Sequence, residues 1–453
     1  MFDPVAYINT PRWQYLSLGL ERITLLLDKL GNPQDKLKFV HVAGTNGKGS
    51  VCAYLAQVLQ ASGYKTGLFT SPYIESFEER IRVDGHNIAP AALREATLAV
   101  KEHANAVEAE TGEHPTEFEL MTAVAFLHFA RVGCQVVVAE VGLGGRLDST
   151  NVIAAPEVSV ISRLGLDHTG VLGNTLEEIA AEKAGIIKRS CPVVCAPQQP
   201  AALEVVQRVA AQQESPCVVV DASQLEVGPV ALEGTVRPVG PTQLERTTLQ
   251  NAALSRRFSY RGTSYTTRLA AAYQPENAAV ALETLEVLRS RGWNIPAAAE
   301  AAGIAATTWP GRFELLPTTP LALVDGGHNP QGARALARSL GEVRPLLLGN
   351  GCSGPLVLLV GVLADKDYPA MLDAVLPLAN AVVCTQPENP RALPAAKLAR
   401  AVQARTYAPV VVRESAAQAV DAACRLTFDD GLVVAFGSLY QVGAVKQAFR
   451  MRA

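Results

Sequence analysis

His41-Val-Ala-Gly44-Thr45-Asn46-Gly47-Lys48-Gly49-Ser50, set within Lys38 to Gly63, is the stretch on which the reading of this chain turns. The β-branched and aromatic run Phe39 to Val42 predicts a buried strand that ends in a glycine turn. Beyond the turn, Val51, Tyr54, Leu55, Val58 and Leu59 recur at helical spacing, and Gly63 stands where a helix C-cap falls. Strand, glycine loop and helix form the arrangement in which backbone N–H groups and a helix N-terminus hold phosphate. The glycines allow close approach, Lys48 reaches β/γ-phosphate oxygens, and the hydroxyl of Ser50 or Thr45 can meet Mg²⁺. The pattern departs from the usual phosphate loop, because Gly49 follows Lys48 and the first glycine stands closer. A plain turn closing a βα unit is the other reading. Three glycines, a lysine and a hydroxyl in one turn favour a nucleotide.

Outward from that loop, strands alternate with helices. Thr66 to Thr70 predicts a strand ending in Ser71-Pro72, and Arg80 to Gly85 predicts a hairpin arm with an Asp-Gly turn. A helix around Leu120 to Ala130 leads to the strand Gln135 to Val141, broken only by Glu140, and then to the loop Gly142 to Asn151. Val158 to Ile161 leads into Leu166-Asp167-His168-Thr169-Gly170. Thr175 as N-cap and Glu178 at N3 form a capping box for a helix running to Ile187, with Lys183 in its interior. Val193–Cys195 and Val218–Val220 predict further strands, Met1 to Asn32 a helical segment, and Gln274 to Arg289 a helix with Asn277 in its first turn. Residues Pro200 to Leu269 say least, short strand-like pieces with a hairpin near Arg261-Gly262. Trp309-Pro310-Gly311-Arg312 reads as a domain junction, so the expected domains are 1–308 and 309–453. From Leu321 a second series follows, with strands at Leu321–Val324, Leu356–Val360, Ala381–Cys384, Val410–Val412 and Leu432–Ala435. This alternation predicts an α/β fold with mostly parallel sheet, whose ligands gather at the carboxyl ends of the strands.

The totals exclude several classes. At 453 residues, 49% hydrophobic and 18% charged, the chain is globular with ample core. Net charge is −3 and no basic block occurs, which argues against nucleic acid or a membrane surface as partner. No apolar stretch is long enough to span a bilayer, and the first residues do not form a signal peptide. The eight cysteines are scattered among apolar neighbours, so reduced thiols and a cytoplasmic setting are expected.

Glu140 ends the apolar run Val136 to Ala139, where a carboxylate needs a cation, a donor or water. Beside a phosphate loop Mg²⁺ is the natural partner, since it takes few carboxylates plus phosphate oxygens. Emergence into solvent is the alternative. Asp167-His168 alone is weak, because histidine is not a preferred Mg²⁺ ligand. Lys183 reads equally as a surface cation. Asp325-Gly326-Gly327-His328-Asn329-Pro330 is similar to strand–turn–helix sites in which an acid meets ribose or phosphate, although all its members also form turns. Arg312 is either a phosphate contact or a surface charge.

Taken together, these motifs resemble the folylpolyglutamate synthase family, often bifunctional as dihydrofolate synthase, a branch of the Mur-type ATP-dependent amide ligases. The likeness rests on Gly44–Ser50, Thr70–Pro72, Glu79–Arg82, Glu140–Asn151, Leu166–His168, Glu182–Ile186, Pro310–Arg312, Asp325–Pro330 and Gly437-Ser-Leu-Tyr440, in the family's order. It implies an N-terminal ATPase domain and a smaller Rossmann-like C-terminal domain. By the same resemblance Ser71, Glu140 and His168 ligate Mg²⁺, with two ions in all, and Lys183 is carbamylated. Asn277, Arg312 and Asp325 match ATP contacts, beside the loop residues Gly44 to Ser50. Lys48, His168, Lys183, Asp325 and His328 form the implied catalytic set. Leu18, Gly19 and Leu20, together with Thr116, Glu117, Phe118 and Glu119, resemble regions lining a pterin pocket in bifunctional members, as does Arg146. Gly31–Gln34 and Ile187–Arg189 resemble monofunctional members instead, so both outcomes stand. The implied partners are ATP, L-glutamate and a folate or dihydropteroate, acted on by a monomer. A cell-wall Mur ligase and a nucleotide-switched binding module are the rival readings.

Overall fold

The computed structural model describes residues 2–11, 19–238, 247–350 and 352–452. The chain divides into two compact units, Met1–Leu225 with Glu276–Thr307, and Glu226–Pro275 with Thr308–Ala453.

The first unit is built on an eight-stranded sheet. Its strands are β1 (Phe39–Ala43), β2 (Thr66–Phe69), β3 (Ile81–Val83), β4 (His86–Asn87), β5 (Val136–Glu140), β6 (Val158–Ile161), β7 (Val193–Cys195) and β8 (Cys217–Val219). They lie in the order β4-β3-β2-β5-β1-β6-β7-β8. From β2 to β8 all neighbours are parallel, and β3 and β4 add an antiparallel end. β1, β2, β5, β6 and β7 are buried along their whole length, as befits parallel strands covered on both faces. Phe39, Phe69, Phe126 and Phe129 anchor one core cluster, and Ala43, Ile161, Val193 and Val206 belong to another. The predicted Asp-Gly turn is present, with Asp84 and Gly85 at φ 48° and 77° between β3 and β4.

Several expectations change in detail. Among the described residues the N-terminal segment holds two α-helices, Pro4–Ile8 and Glu21–Lys29. Leu18 lies outside the described residues. The capping box at Thr175 and Glu178 forms, but its helix ends at Ala184 rather than Ile187. Helices at Pro90–Thr111 and Pro200–Gln212 add to the predicted set, each opening with Pro in the first turn, where its missing N–H is harmless.

Helix Glu21–Lys29 packs beside helix Glu117–Arg131 through a buried charge group. Arg22 Nε donates to Glu119 at 3.1 Å and Arg22 Nη1 to Glu113 at 2.5 Å. Replacing Arg22 by Met strands Glu119, which is 3% exposed, without its cation. The expected loss of stability is about 3–5 kcal/mol, read as a lower urea midpoint at unchanged slope. An unshifted midpoint would show that water already compensates the charge.

The second unit contains a three-stranded sheet, β11-β10-β9, from β9 (Leu225–Pro238), β10 (Thr247–Tyr260) and β11 (Thr263–Thr267), with β10 and β11 antiparallel. Its larger sheet comprises β12 (Glu314–Leu316), β13 (Leu321–Asp325), β14 (Leu356–Val360), β15 (Ala381–Cys384), β16 (Val410–Val412) and β17 (Leu432–Phe436). The order is β12-β13-β17-β14-β15-β16, parallel except for β12. Leu323, Leu358, Val382 and Val434 sit in its core. Among the described residues no helix is long and apolar enough to cross a membrane.

Candidate active site

β1 lies between β5 and β6, so the loop that leaves its carboxyl end is flanked by two further loops. Gly44 (φ 152°) and Gly47 (φ 89°) both occupy the left-handed half of backbone space. Neither has room for a side chain: a Cβ would stand 1.9 Å from Ser162 Oγ at Gly44 and 2.3 Å from Asn277 Oδ1 at Gly47. The loop is braced from the segment after β6. Arg163 O accepts the N–H groups of Thr45 and Asn46, both at 3.0 Å, and Ser162 Oγ donates to Asn46 O at 2.9 Å. Thr45 Oγ1 donates to Gly165 O at 3.0 Å. The helix then starts at Lys48, so the N–H groups of Lys48 and Gly49 have no intrahelical acceptor. Lys48 Nζ folds back to Gly44 O at 3.2 Å, over the mouth of the loop. Gly49 and Ser50 are buried beneath it. This is a narrow cradle with positive dipole and charge, fit for phosphate oxygens. Asn277, predicted at a distance in sequence, is brought directly to it.

Glu140 closes β5 and is 5% exposed, so it is held in the site rather than released to solvent. Ser71 N, just past β2, donates to Glu140 Oε2 at 3.3 Å. Ser71 and Glu140 supply oxygen donors of the kind a hard divalent cation takes, the balance coming from phosphate and water. Among the described residues no three His, Cys, Asp or Glu side chains gather as a self-sufficient metal site. His168 lies after β6, exposed, at φ 51°, where its own N–H meets Asp167 Oδ1 at 2.9 Å. The structure thus pairs Ser71 with Glu140 and leaves His168 on a separate loop.

Lys183 is buried, not a surface cation, at 5% exposure. Burial, and then the positive charge of Lys48, pushes its amine down to about 7, against the opposing pull of Asp167 and Asp148. The loop after β5 lies on its helix: a Cβ on Gly145 would be 2.9 Å from Lys183 O. Arg146 Nη2 reaches Glu182 at 2.8 Å on that same helix.

Of the residues matched to a substrate pocket, Thr116 and Glu119 form a reciprocal cap, with bonds of 3.3 and 2.7 Å, on helix Glu117–Arg131. Phe118 packs under Gly142, where a Cβ would stand 2.5 Å from its ring. Segment 116–119 therefore adjoins the Glu140 loop. Glu117 lies 3.9 Å from Arg80, and Gly19 and Leu20 precede the helix of Arg22.

In the second unit, Asp325 ends β13 and is buried. It accepts the N–H groups of Phe313 at 2.9 Å and Gly327 at 2.7 Å and the hydroxyl of Tyr273 at 3.2 Å. Burial raises its carboxyl above the ordinary range, opposed first by the charge of Arg312. Arg312 and Asp325 are thereby neighbours. His328 Nδ1 donates to Gly326 O at 2.9 Å, which orients the ring. Asn329 caps the helix Pro330–Gly349. Reading the sequence missed Ser162 and Tyr273, whose side-chain contacts to Asn46 and Asp325 no periodicity marks.

Comparison with known proteins gives matches along nearly the whole chain. The Mur ligase middle domain matches residues 42–284, and the glutamate ligase domain of Mur ligases matches residues 311–439. The folylpolyglutamate synthase of Lacticaseibacillus casei is 36% identical over 98% of this chain and 97% of its own length. The dihydrofolate synthase/folylpolyglutamate synthase of Bacillus subtilis is 36% identical over 83% of this chain and 82% of its own. Among solved structures, Mycobacterium tuberculosis folylpolyglutamate synthase complexed with ADP and AMPPCP aligns at a TM-score of 0.81 and 32% identity, covering 95% of each chain.

Proposed function

Because the chain belongs to the folylpolyglutamate synthase family of Mur ligases, we propose that it is an ATP-dependent ligase adding L-glutamate to the terminal carboxylate of a folate. The observation that carries this reading is the braced glycine loop with Lys48 above it and buried Glu140 at the end of the adjacent strand.

A carboxylate is a poor electrophile at neutral pH. Its oxygen attacks the γ-phosphorus of ATP, the bond to the bridging oxygen breaks, and an acyl phosphate and ADP result. The amino group of glutamate then attacks the activated carbonyl, a C–N bond forms, and phosphate leaves with the electron pair. The loop N–H groups and Lys48 hold the phosphates and offset charge on the transferring group. Asn277 borders that loop; Arg312 and Asp325 are assigned to the nucleotide by their resemblance to the family's motifs alone. Ser71, Glu140 and His168 would hold Mg²⁺, two ions in all, which when bound supplies positive charge to the phosphate oxygens. His328, in the Asp325–Pro330 motif, is the proposed acceptor of the proton from the incoming amine. Lys183, whose amine is pushed down to about 7, is a nucleophile for CO₂ in its neutral form: its nitrogen bonds to carbon, a proton leaves, and an anionic carbamate replaces the neutral amine. A monomeric state and a cytoplasmic setting complete the proposal, consistent with eight free thiols.

Incubation with ATP, L-glutamate and tetrahydrofolate is expected to give ADP, phosphate and a product one glutamyl residue heavier, in equal amounts. ATP turnover without that product would defeat the ligase reading in favour of a nucleotide-driven binding module. Dihydropteroate in place of tetrahydrofolate decides the second activity, for which Arg146 and segment 116–119 are the supporting residues.

A further inference from the structure

Beneath the site runs a buried polar chain that the reaction above does not use. Asp148 Oδ1 accepts the Thr150 hydroxyl at 2.6 Å and the Thr150 N–H at 3.0 Å, and Asp148 Oδ2 accepts the Leu143 N–H at 2.9 Å. His41 Nε2, on β1 two residues before the glycine loop begins to turn, lies 2.8 Å from Thr150 Oγ1. His41, Asp148 and Thr150 are all buried. The only proton on Thr150 Oγ1 goes to the carboxylate, so the imidazole must donate through Nε2–H. Burial, with Lys188 adding to it, pushes the ring's pKa down to about 3 and keeps it neutral. Nδ1 is then a bare acceptor, and it has no hydrogen-bond partner. A buried imidazole with one nitrogen unserved is a poorer core residue than an aliphatic one. Its contribution is the Nε2 contact.

The other side of the same loop is clipped to the helix of Lys183. Arg146 N donates to Glu182 O at 2.8 Å, and Asn151 Nδ2 donates to Arg146 O at 2.9 Å and Gly185 O at 3.2 Å. Lys188 Nζ donates to Asn151 O at 2.9 Å. Gly145 admits no Cβ, which would fall 2.8 Å from Glu182 O. Loop 142–151 is thus held between two elements, with Glu140 two residues before its start.

We propose that His41, acting through Thr150 and Asp148, is a positioning residue for the ligase reaction: the buried chain locks loop 142–151 so that Glu140 and Lys183 keep their register against the strand that bears the phosphate loop. The proposal rests on the ligase reading, and three variants of the full-length chain test it. Thr150→Val removes the hydroxyl at nearly constant volume, Thr150→Ser restores it, and His41→Gln keeps an N–H donor of similar reach. Thr150→Val is expected to lower kcat by about 10–100-fold, with KM for ATP within about twofold of wild type because the glycine loop is untouched. Thr150→Ser should recover most of kcat, and His41→Gln should fall between. Amide exchange across residues 142–150 should speed up in Thr150→Val and return in Thr150→Ser, a readout that needs no turnover. If Thr150→Val does not fold, the His41→Gln and Thr150→Ser comparison carries the same criteria. Unchanged kcat and exchange, loss confined to KM for ATP, or no rescue by serine would overturn the positioning role. A wild-type protein that makes no glutamyl product overturns the ligase reading instead, while the exchange data still judge the loop.

Discussion

Replacing Glu140 by Gln is expected to reduce kcat by about 10²–10³-fold, the size seen when one preorganised group facing a charged transition state is lost. Glutamine keeps the shape and can still accept the Ser71 N–H, so packing at the end of β5 survives. What disappears is the negative charge that a divalent cation needs beside the phosphates. Thermal stability should change little, because glutamine is nearly isosteric and leaves the apolar packing around the end of β5 in place. Apparent affinity for Mg²⁺, titrated at saturating ATP, should weaken in parallel with kcat. Near-normal turnover would remove Glu140 from the metal site, whatever the fate of the fold.

The second large effect belongs to Lys183. Lys183→Met should lower kcat by about 10²-fold or more, and wild-type protein freed of CO₂ should lose activity that bicarbonate restores. An intact-mass spectrum showing the increment of one CO₂ on wild type, and none on the variant, identifies the modification. Stability moves the other way. The folded amine sits at about 7 while the unfolded one keeps its ordinary 10.5. The unfolded chain therefore binds more protons between those values, and wild-type stability rises with pH across that window. Below it, the full penalty of a charged buried lysine is present. In CO₂-free buffer Lys183→Met should consequently melt above wild type near about pH 6, with the gap closing toward about pH 10. A variant less stable at the acid end would mean that Lys183 is paired and charged in the folded protein.

The parts of this molecule that were legible in the sequence are those written in short-range pattern. β-Branched runs bounded by turns located β1, β14, β15 and β16, and the parallel sheets follow from their alternation with helices. Thr175 and Glu178 announced a helix start because a reciprocal cap needs only three-residue spacing. The end of that helix was misplaced because Ile186 and Ile187 continue the apolar period while the backbone has already turned to pack them. Lys183 shows the limit more sharply. Its neighbours Glu177, Glu178 and Glu182 give the helix a hydrophilic look, yet the folded chain, with the loop from β5 lying on that helix, buries the lysine. Likewise His41 reads as one more strand residue. Its partner Thr150 is brought by the folding of a distant loop, and no local spacing encodes that meeting.

The position of β1 in the middle of its sheet governs when the protein can become active during synthesis. Residues 44–50 emerge early, yet the two neighbours that hydrogen-bond β1 start only at Val136 and Val158. A nascent chain that stops short of them carries every ligand-binding amide of the glycine turn and no framework to aim those amides. Truncated products of this gene should therefore be unable to sequester nucleotide, and acquisition of binding should be an abrupt, late event on the ribosome.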